Sequence, residues 1–155
     1  MVSPSADDKE HMERRSLTLP SEIEHIPEAR RFIEEVAREL GCLDQDIADL
    51  KIAAGEACAN AVEHGSPRGR EGKISISVEP DGDMIRVEVR DEGLFRNTRG
   101  SLEAQMHKGR GFFLILALVD RMAVERSPNG TTVKLWKSCK GKSPFPRRGR
   151  LPRRM

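Results

Sequence analysis

Apolar and polar residues alternate along several stretches of the chain and recur at helical spacing along others. Leu17 and Leu19 alternate with Ser16 and Thr18, which predicts a short strand ended by Pro20. Ile26, Ala29, Ile33, Val36 and Leu40 then repeat at three- and four-residue intervals. That is the apolar stripe of a helix, with Pro27 in its first turn and Gly41 as its stop. A second helix is expected from about Asp44, read as its N-cap, to His64, where Gly65, Ser66 and Pro67 end it. Acidic residues crowd its first turns and suit the positive end of the helix dipole. Small residues fill its middle (Ala53, Ala54, Gly55, Ala57, Ala59, Ala61), which permits close packing on a sheet or another helix.

Two strands follow. Ile74, Ile76 and Val78 alternate with Lys73, Ser75 and Ser77, and Ile85, Val87 and Val89 alternate with Arg86, Glu88 and Arg90. Pro80-Asp81-Gly82-Asp83 between them signals a hairpin. A long loop over 91–108 precedes a third helix over 111–119, apolar nearly all round and therefore expected to be buried. Two last strands, near 121–127 and 130–136, flank a Pro-Asn-Gly turn. The order β-α-α-β-β-α-β-β predicts an α/β (α+β) two-layer sandwich. Its sheet is largely antiparallel, with about five strands and three helices on one face. The alternation leaves the other face to water or a partner.

Charge changes this picture at one end. The chain of 155 residues carries 27 Lys plus Arg and 25 Asp plus Glu, a formal net charge of +2. Seven of the basic residues and none of the acidic ones lie in 138–155, which leaves 20 basic against 25 acidic residues in 1–137. The expected organisation is a mobile polar segment over 1–15, a body over 16–137 and a basic, disordered tail over 138–155. The tail has three prolines and a single aromatic, Phe145, so it offers no stacking series for single-stranded nucleic acid. Steering of an acidic partner is the reading preferred for it, and direct nucleic-acid binding is not expected. The longest apolar run, Phe112–Val119, has eight residues, against roughly 20 for a membrane span. The N-terminus has no apolar signal core, and the cytoplasm is the expected compartment. Cys42, Cys58 and Cys139 are widely spaced and odd in number, and neither a disulfide framework nor a metal-ligand spacing is expected of them.

Four segments carry candidate chemistry. Glu56, Asn60, Glu63 and His64 fall on one side of the Ala-rich helix. A solvated face is the plain alternative. Asp91-Glu92-Gly93 follows a well-patterned strand, where a carboxylate can meet a ligand amine or simply form a turn. Gly109-Arg110-Gly111 opens the third helix, where backbone N–H groups and the helix dipole favour an anion. Gly130-Thr131-Thr132 opens the last strand, and the threonines there also suit β-structure.

In this order, EACANAVEHG, VRDEG, GRGFFLILALVD and NGTTVKLW resemble the N box and glycine boxes of the GHKL (histidine-kinase-like) ATPase superfamily. Within it the chain is most similar to bacterial anti-sigma factors that are also serine/threonine-protein kinases. The resemblance spans about 16–136 and implies a Bergerat-type ATPase fold, with ATP and Mg²⁺ as cofactors. It makes Asn60 the Mg²⁺ ligand and Glu56 the general base. It makes Asp91 the reader of the adenine amine, with Gly93 beside the base. Gly109, Arg110 and Gly111 fall at the phosphates, and Thr131 or Thr132, the latter preferred, near the adenine. The partners implied are a sigma factor, a STAS-type anti-anti-sigma protein and a second copy of the chain as a homodimer. Two positions depart from the pattern: Phe95 stands where a second glycine is usual, and Lys108 precedes Gly109. Phe95 motivates the alternative of a non-catalytic nucleotide-binding or nucleotide-free regulatory interaction module with the same fold.

Overall fold

The computed structural model describes residues 14–64, 72–92 and 110–139. The expectations placed on 1–13, on Gly65-Ser66-Pro67, on the glycine-box loop with Phe95 and Lys108, and on the basic residues of the tail lie outside them.

The edge strand β1 (Arg15–Pro20) runs antiparallel to β2 (Lys73–Asp81). A tight turn at Gly82-Asp83 joins β2 to β3 (Met84–Asp91), as the Pro-Asp-Gly-Asp run predicts. The hairpin of β4 (Arg121–Ser127) and β5 (Gly130–Ser138) completes the sheet, with β5 inserted beside β3. The strand order is β1-β2-β3-β5-β4, and every neighbouring pair is antiparallel.

Three helices among the described residues cover one face: α1 (Ile26–Glu39), α2 (Asp44–His64) and α3 (Arg110–Leu118). Helix α1 lies against β1 and β2, α2 against β3 and β5, and α3 against α2 and β4. The core between the layers is the alternating set read from the strands (Ile74, Ile76, Val78, Ile85, Val87, Val89, Leu135) closed by Ile33, Val36, Ile47, Leu50 and the small residues of α2. Ala53, Ala54, Ala57 and Ala61 are buried, so their lack of bulk brings the α2 backbone close to the sheet.

Helix α1 ends in a Schellman motif. Gly41, at a φ of 85°, donates its N–H to the Arg38 carbonyl, and Cys42 donates to that of Ala37. Lys51 of α2 donates to Glu34 of α1 at 2.9 Å and holds that carboxyl below its ordinary range. At the far side of the layer, the Lys137 ammonium donates to the Leu118 carbonyl at the end of α3 (2.6 Å) and to Asp49 of α2 (3.2 Å). One cation therefore ties both helices to β5. Lys137→Met keeps the aliphatic stem and removes these bonds. We expect it to cost about 1–2 kcal/mol, read as a lower midpoint in urea unfolding at unchanged slope.

Four details differ from the sequence reading. Asp44 is the first helical residue of α2 rather than its cap, and Ile47 already donates to the Leu43 carbonyl. Helix α3 is not buried all round: Phe112 and Ile115 enter the interior, while Phe113 is 67% exposed and Leu114 and Leu116 are exposed as well. It packs on α2 and β4 from one side only. Strand β5 continues past Trp136 to Ser138, where Asp120 accepts the Ser138 N–H at 2.6 Å. The fourth is a disulfide, unforeseen in the cysteine spacing, between Cys42 and Cys139, with Cα atoms 4.6 Å apart.

The outer face of the sheet is polar. Arg86 pairs with Glu79, Asp81 and Glu88, and Lys134 with Glu125. Trp136 has the parity of this face yet is only 7% exposed. Arg121 lies over its ring at 4.2 Å, and its indole N–H donates to Asp81 at 2.9 Å.

Candidate functional site

Strand register builds the site at one end of the sheet. Asp91, the last residue of β3, is paired with Ile74 on one side and with Thr131 on the other. Directly paired residues share a face. Asp91 and Thr131 thus stand side by side on the helix-covered face, in line with Val89 and Val133. Asp91 is 4% exposed and Thr131 3%. The Thr131 hydroxyl has no hydrogen-bond partner among the described residues. A buried hydroxyl left unpaired costs about 1–3 kcal/mol, so this is a position where a polar ligand group is stabilising.

The neighbouring residues have structural work. Glu92 accepts the backbone N–H of Lys73 at 3.1 Å and so fastens the start of β2 to the end of β3. Of the two consecutive carboxylates, only Asp91 is buried. Gly130 lets the first residue of β5 approach the Asp91 backbone, since a Cβ there would lie 2.0 Å from the Asp91 carbonyl oxygen. Thr132, preferred over Thr131 from the sequence, pairs with Arg90 and has the parity of Lys134 and Trp136. It lies on the outer face, away from Asp91.

Helix α2 packs on the inner face of the sheet, in contact with β3 and β5. Glu56 and Asn60 are one turn apart on it, and both are half-buried, while Glu63 is exposed. The stripe is therefore not a uniformly solvated face. Spaced four apart, the Glu56 and Asn60 side chains point the same way from the helix. Gly55, just before Glu56, is buried beneath Arg30 of α1, whose guanidinium would stand 2.7 Å from a Cβ at that position. The chain thus holds a cation across the helix backbone next to Glu56. No signal for it exists in the sequence beyond a glycine inside a helix.

Arg110 and Gly111 form the first turn of α3. The first turn of a helix leaves N–H groups without an intrahelical partner, and together with the helix dipole they favour an anion. Gly93 and Gly109 lie outside the described residues. The residues that are described suit a nucleotide: a buried carboxylate beside an orphaned hydroxyl for a base, a helix start for phosphates, and an amide oxygen on α2 for a cation. Among the described residues no helix is long and apolar enough to cross a membrane.

Comparison with known proteins shows the family. Residues 19–137 match the histidine kinase-like ATPase domain. The chain belongs to that family. Serine-protein kinase RsbW of Bacillus velezensis is 31% identical over 137 residues, covering 81% of this chain and 85% of that protein. The anti-sigma F factor of Bacillus subtilis is 29% identical over 121 residues, covering 70% and 81%. Among solved structures, the RsbU and RsbW domains of a Mycobacterium tuberculosis protein superpose with a TM-score of 0.64 at 27% identity. That match covers 83% of this chain and 33% of the other. A histidine kinase domain from Erythrobacter litoralis, at 16% identity and a TM-score of 0.51, shares the fold over 78% of this chain and 62% of its own. Within its family the chain groups with the anti-sigma serine-protein kinases, and its enzyme class is serine/threonine-protein kinase.

Proposed function

We propose that this kinase binds ATP with Mg²⁺ at the Asp91–Thr131 end of the sheet and transfers phosphate to a serine or threonine of a STAS-type anti-anti-sigma protein. It would also hold a sigma factor. The observation that carries the nucleotide reading is the buried Asp91–Thr131 pair with its orphaned hydroxyl. ATP supplies the transferable phosphoryl group, and Mg²⁺ spreads its charge. The chain's own residues orient and neutralise. Asp91 would accept the adenine amine and Thr131 would complete the base contact, with Gly93 alongside. The backbone N–H groups of Gly109, Arg110 and Gly111 would receive phosphate oxygens. Asn60 would supply one oxygen to Mg²⁺. Glu56, one turn away, would accept the proton of the attacking hydroxyl. The likeness to anti-sigma kinases also motivates a cytoplasmic homodimer, and the basic residues after Cys139 suit steering of an acidic partner.

Equilibrium binding of ATP with Mg²⁺ tests the nucleotide site. Asp91→Asn exchanges a charged acceptor for a neutral one and should weaken binding about 10- to 100-fold. Unchanged affinity would remove Asp91 from the site. No binding by the parent protein would favour the non-catalytic module that Phe95 suggests. Mass spectrometry of candidate STAS proteins after incubation with ATP tests the substrate, by a phosphorylated Ser or Thr.

A further inference from the structure

The Cys42–Cys139 bridge joins two places that other bonds already hold. The Schellman motif at the end of α1 sets the backbone of Cys42, whose N–H donates to Ala37 at 3.0 Å. The backbone of Cys139 is set by its N–H, which donates to the Asp83 carbonyl at 3.1 Å in the β2–β3 turn. Neither placement depends on the S–S bond. With Cα atoms 4.6 Å apart, inside the ordinary disulfide range of roughly 4.4–6.8 Å, the two sulfurs remain neighbours when the bond is open. The open form also has a partner for its proton: the Leu40 carbonyl oxygen lies 3.9 Å from the Cys139 sulfur, within reach of a thiol S–H. The fold therefore accommodates both states.

Access is one-sided. Cys139 is buried and Cys42 is half-buried, so a small thiol reaches the pair through Cys42. The third cysteine stays out of the exchange. Cys58 sits in the core, and burial pushes its thiol up to about 12, so it holds almost no thiolate near neutral pH.

We propose that Cys42 and Cys139 form a reversible thiol–disulfide site, exchanging with low-molecular-weight disulfides of the glutathione class, that locks the turn between α1 and α2 to the end of β5. In the oxidising direction the Cys42 thiolate attacks the small disulfide, forms a mixed disulfide and releases one small thiol. The Cys139 thiolate then attacks the Cys42 sulfur and releases the second. Two protein thiols lose two electrons and two protons, and one small disulfide becomes two thiols. The lock lies at the Met84–Ser138 end of the strand register, opposite the Asp91–Thr131 end. Seven residues of strand, about 23 Å, separate Thr131 from Ser138. The lock therefore acts on stability and on the junction with the basic segment, and this inference stands apart from the kinase reading.

The test uses the full chain poised in mixtures of glutathione and glutathione disulfide, followed by differential alkylation and peptide mass spectrometry. Cys42 and Cys139 should change state together, while Cys58 is labelled only after denaturation. Closing a loop of 97 residues should raise the melting temperature of the oxidised form by roughly 10 °C over the reduced form. Amide exchange should quicken on reduction at 40–44 and 137–139 and stay unchanged at Asp91 and Thr131. Cys42→Ser should melt like the reduced protein in every buffer. If that variant does not fold, reduced wild-type protein carries the same reading. A stable glutathione adduct in place of the internal bridge would overturn the proposal. So would a bridge that excess glutathione cannot open in the folded protein, or identical melting of the two forms.

Discussion

Glu56→Gln is expected to leave binding of ATP with Mg²⁺ within about twofold and to slow phosphoryl transfer by about 10²- to 10⁴-fold. The substitution is nearly isosteric, so the half-buried site on α2 stays filled and the helix is undisturbed. What disappears is a group able to take a proton. Phosphoryl transfer rests mainly on positioning and charge neutralisation, so a residual rate should survive. Asn60→Ala, one turn along the same helix, should behave in the opposite way: affinity for the Mg²⁺ complex falls because a cation ligand is gone. Single-turnover transfer to the protein substrate, run beside equilibrium binding, separates the two. Full transfer by Glu56→Gln would end the assignment of Glu56 as base. Lost binding would show that it holds the nucleotide instead.

The architecture was readable because its determinants are local. The alternation of Ile74, Ile76 and Val78 with polar neighbours, and of Ile85, Val87 and Val89 with theirs, carries the inner face of two strands. The turn at Gly82-Asp83 then leaves one register in which both faces agree. Asp91 falls on the inner face by the same parity, and Glu56 and Asn60 share a side of α2 by helical spacing. Parity also sets the faces of the two threonines. Thr132 is in step with Lys134 and Trp136, so its place on the outer face was already implied, and Thr131 is the one beside Asp91. Other features depend on what comes to lie nearby. Phe113 and Leu116 are as apolar as Phe112 and Ile115, and only the one-sided packing of α3 separates the exposed pair from the buried pair. The disulfide requires a helix-ending turn and a strand end, 97 residues apart, to meet. Arg30 over Gly55 joins two helices in the same non-local way.

Gly130→Ala is expected to damage both stability and nucleotide binding, because the clash it creates is with backbone. Gly130 has a φ of 145°, which L side chains rarely adopt, and its Cβ would sit 2.0 Å from the Asp91 carbonyl oxygen and 3.0 Å from the Asp91 carbonyl carbon. No rotamer relieves such contacts. The start of β5 must move away from the end of β3, and the Asp91–Thr131 pair opens with it. A cost of about 2–4 kcal/mol follows from backbone strain together with lost strand pairing, seen as a melting temperature lower by roughly 10 °C. Gly82→Ala supplies the control. Gly82 also has a positive φ, 62°, but nothing lies within 4 Å of its would-be Cβ. Only the left-handed conformation is penalised there, by about 1–2 kcal/mol, at the far end of the sheet. Titration with ATP and Mg²⁺ well below either melting transition should show weaker binding for Gly130→Ala and unchanged binding for Gly82→Ala. Equal effects of the two on binding would mean that the approach of Gly130 to Asp91 does not shape the nucleotide site.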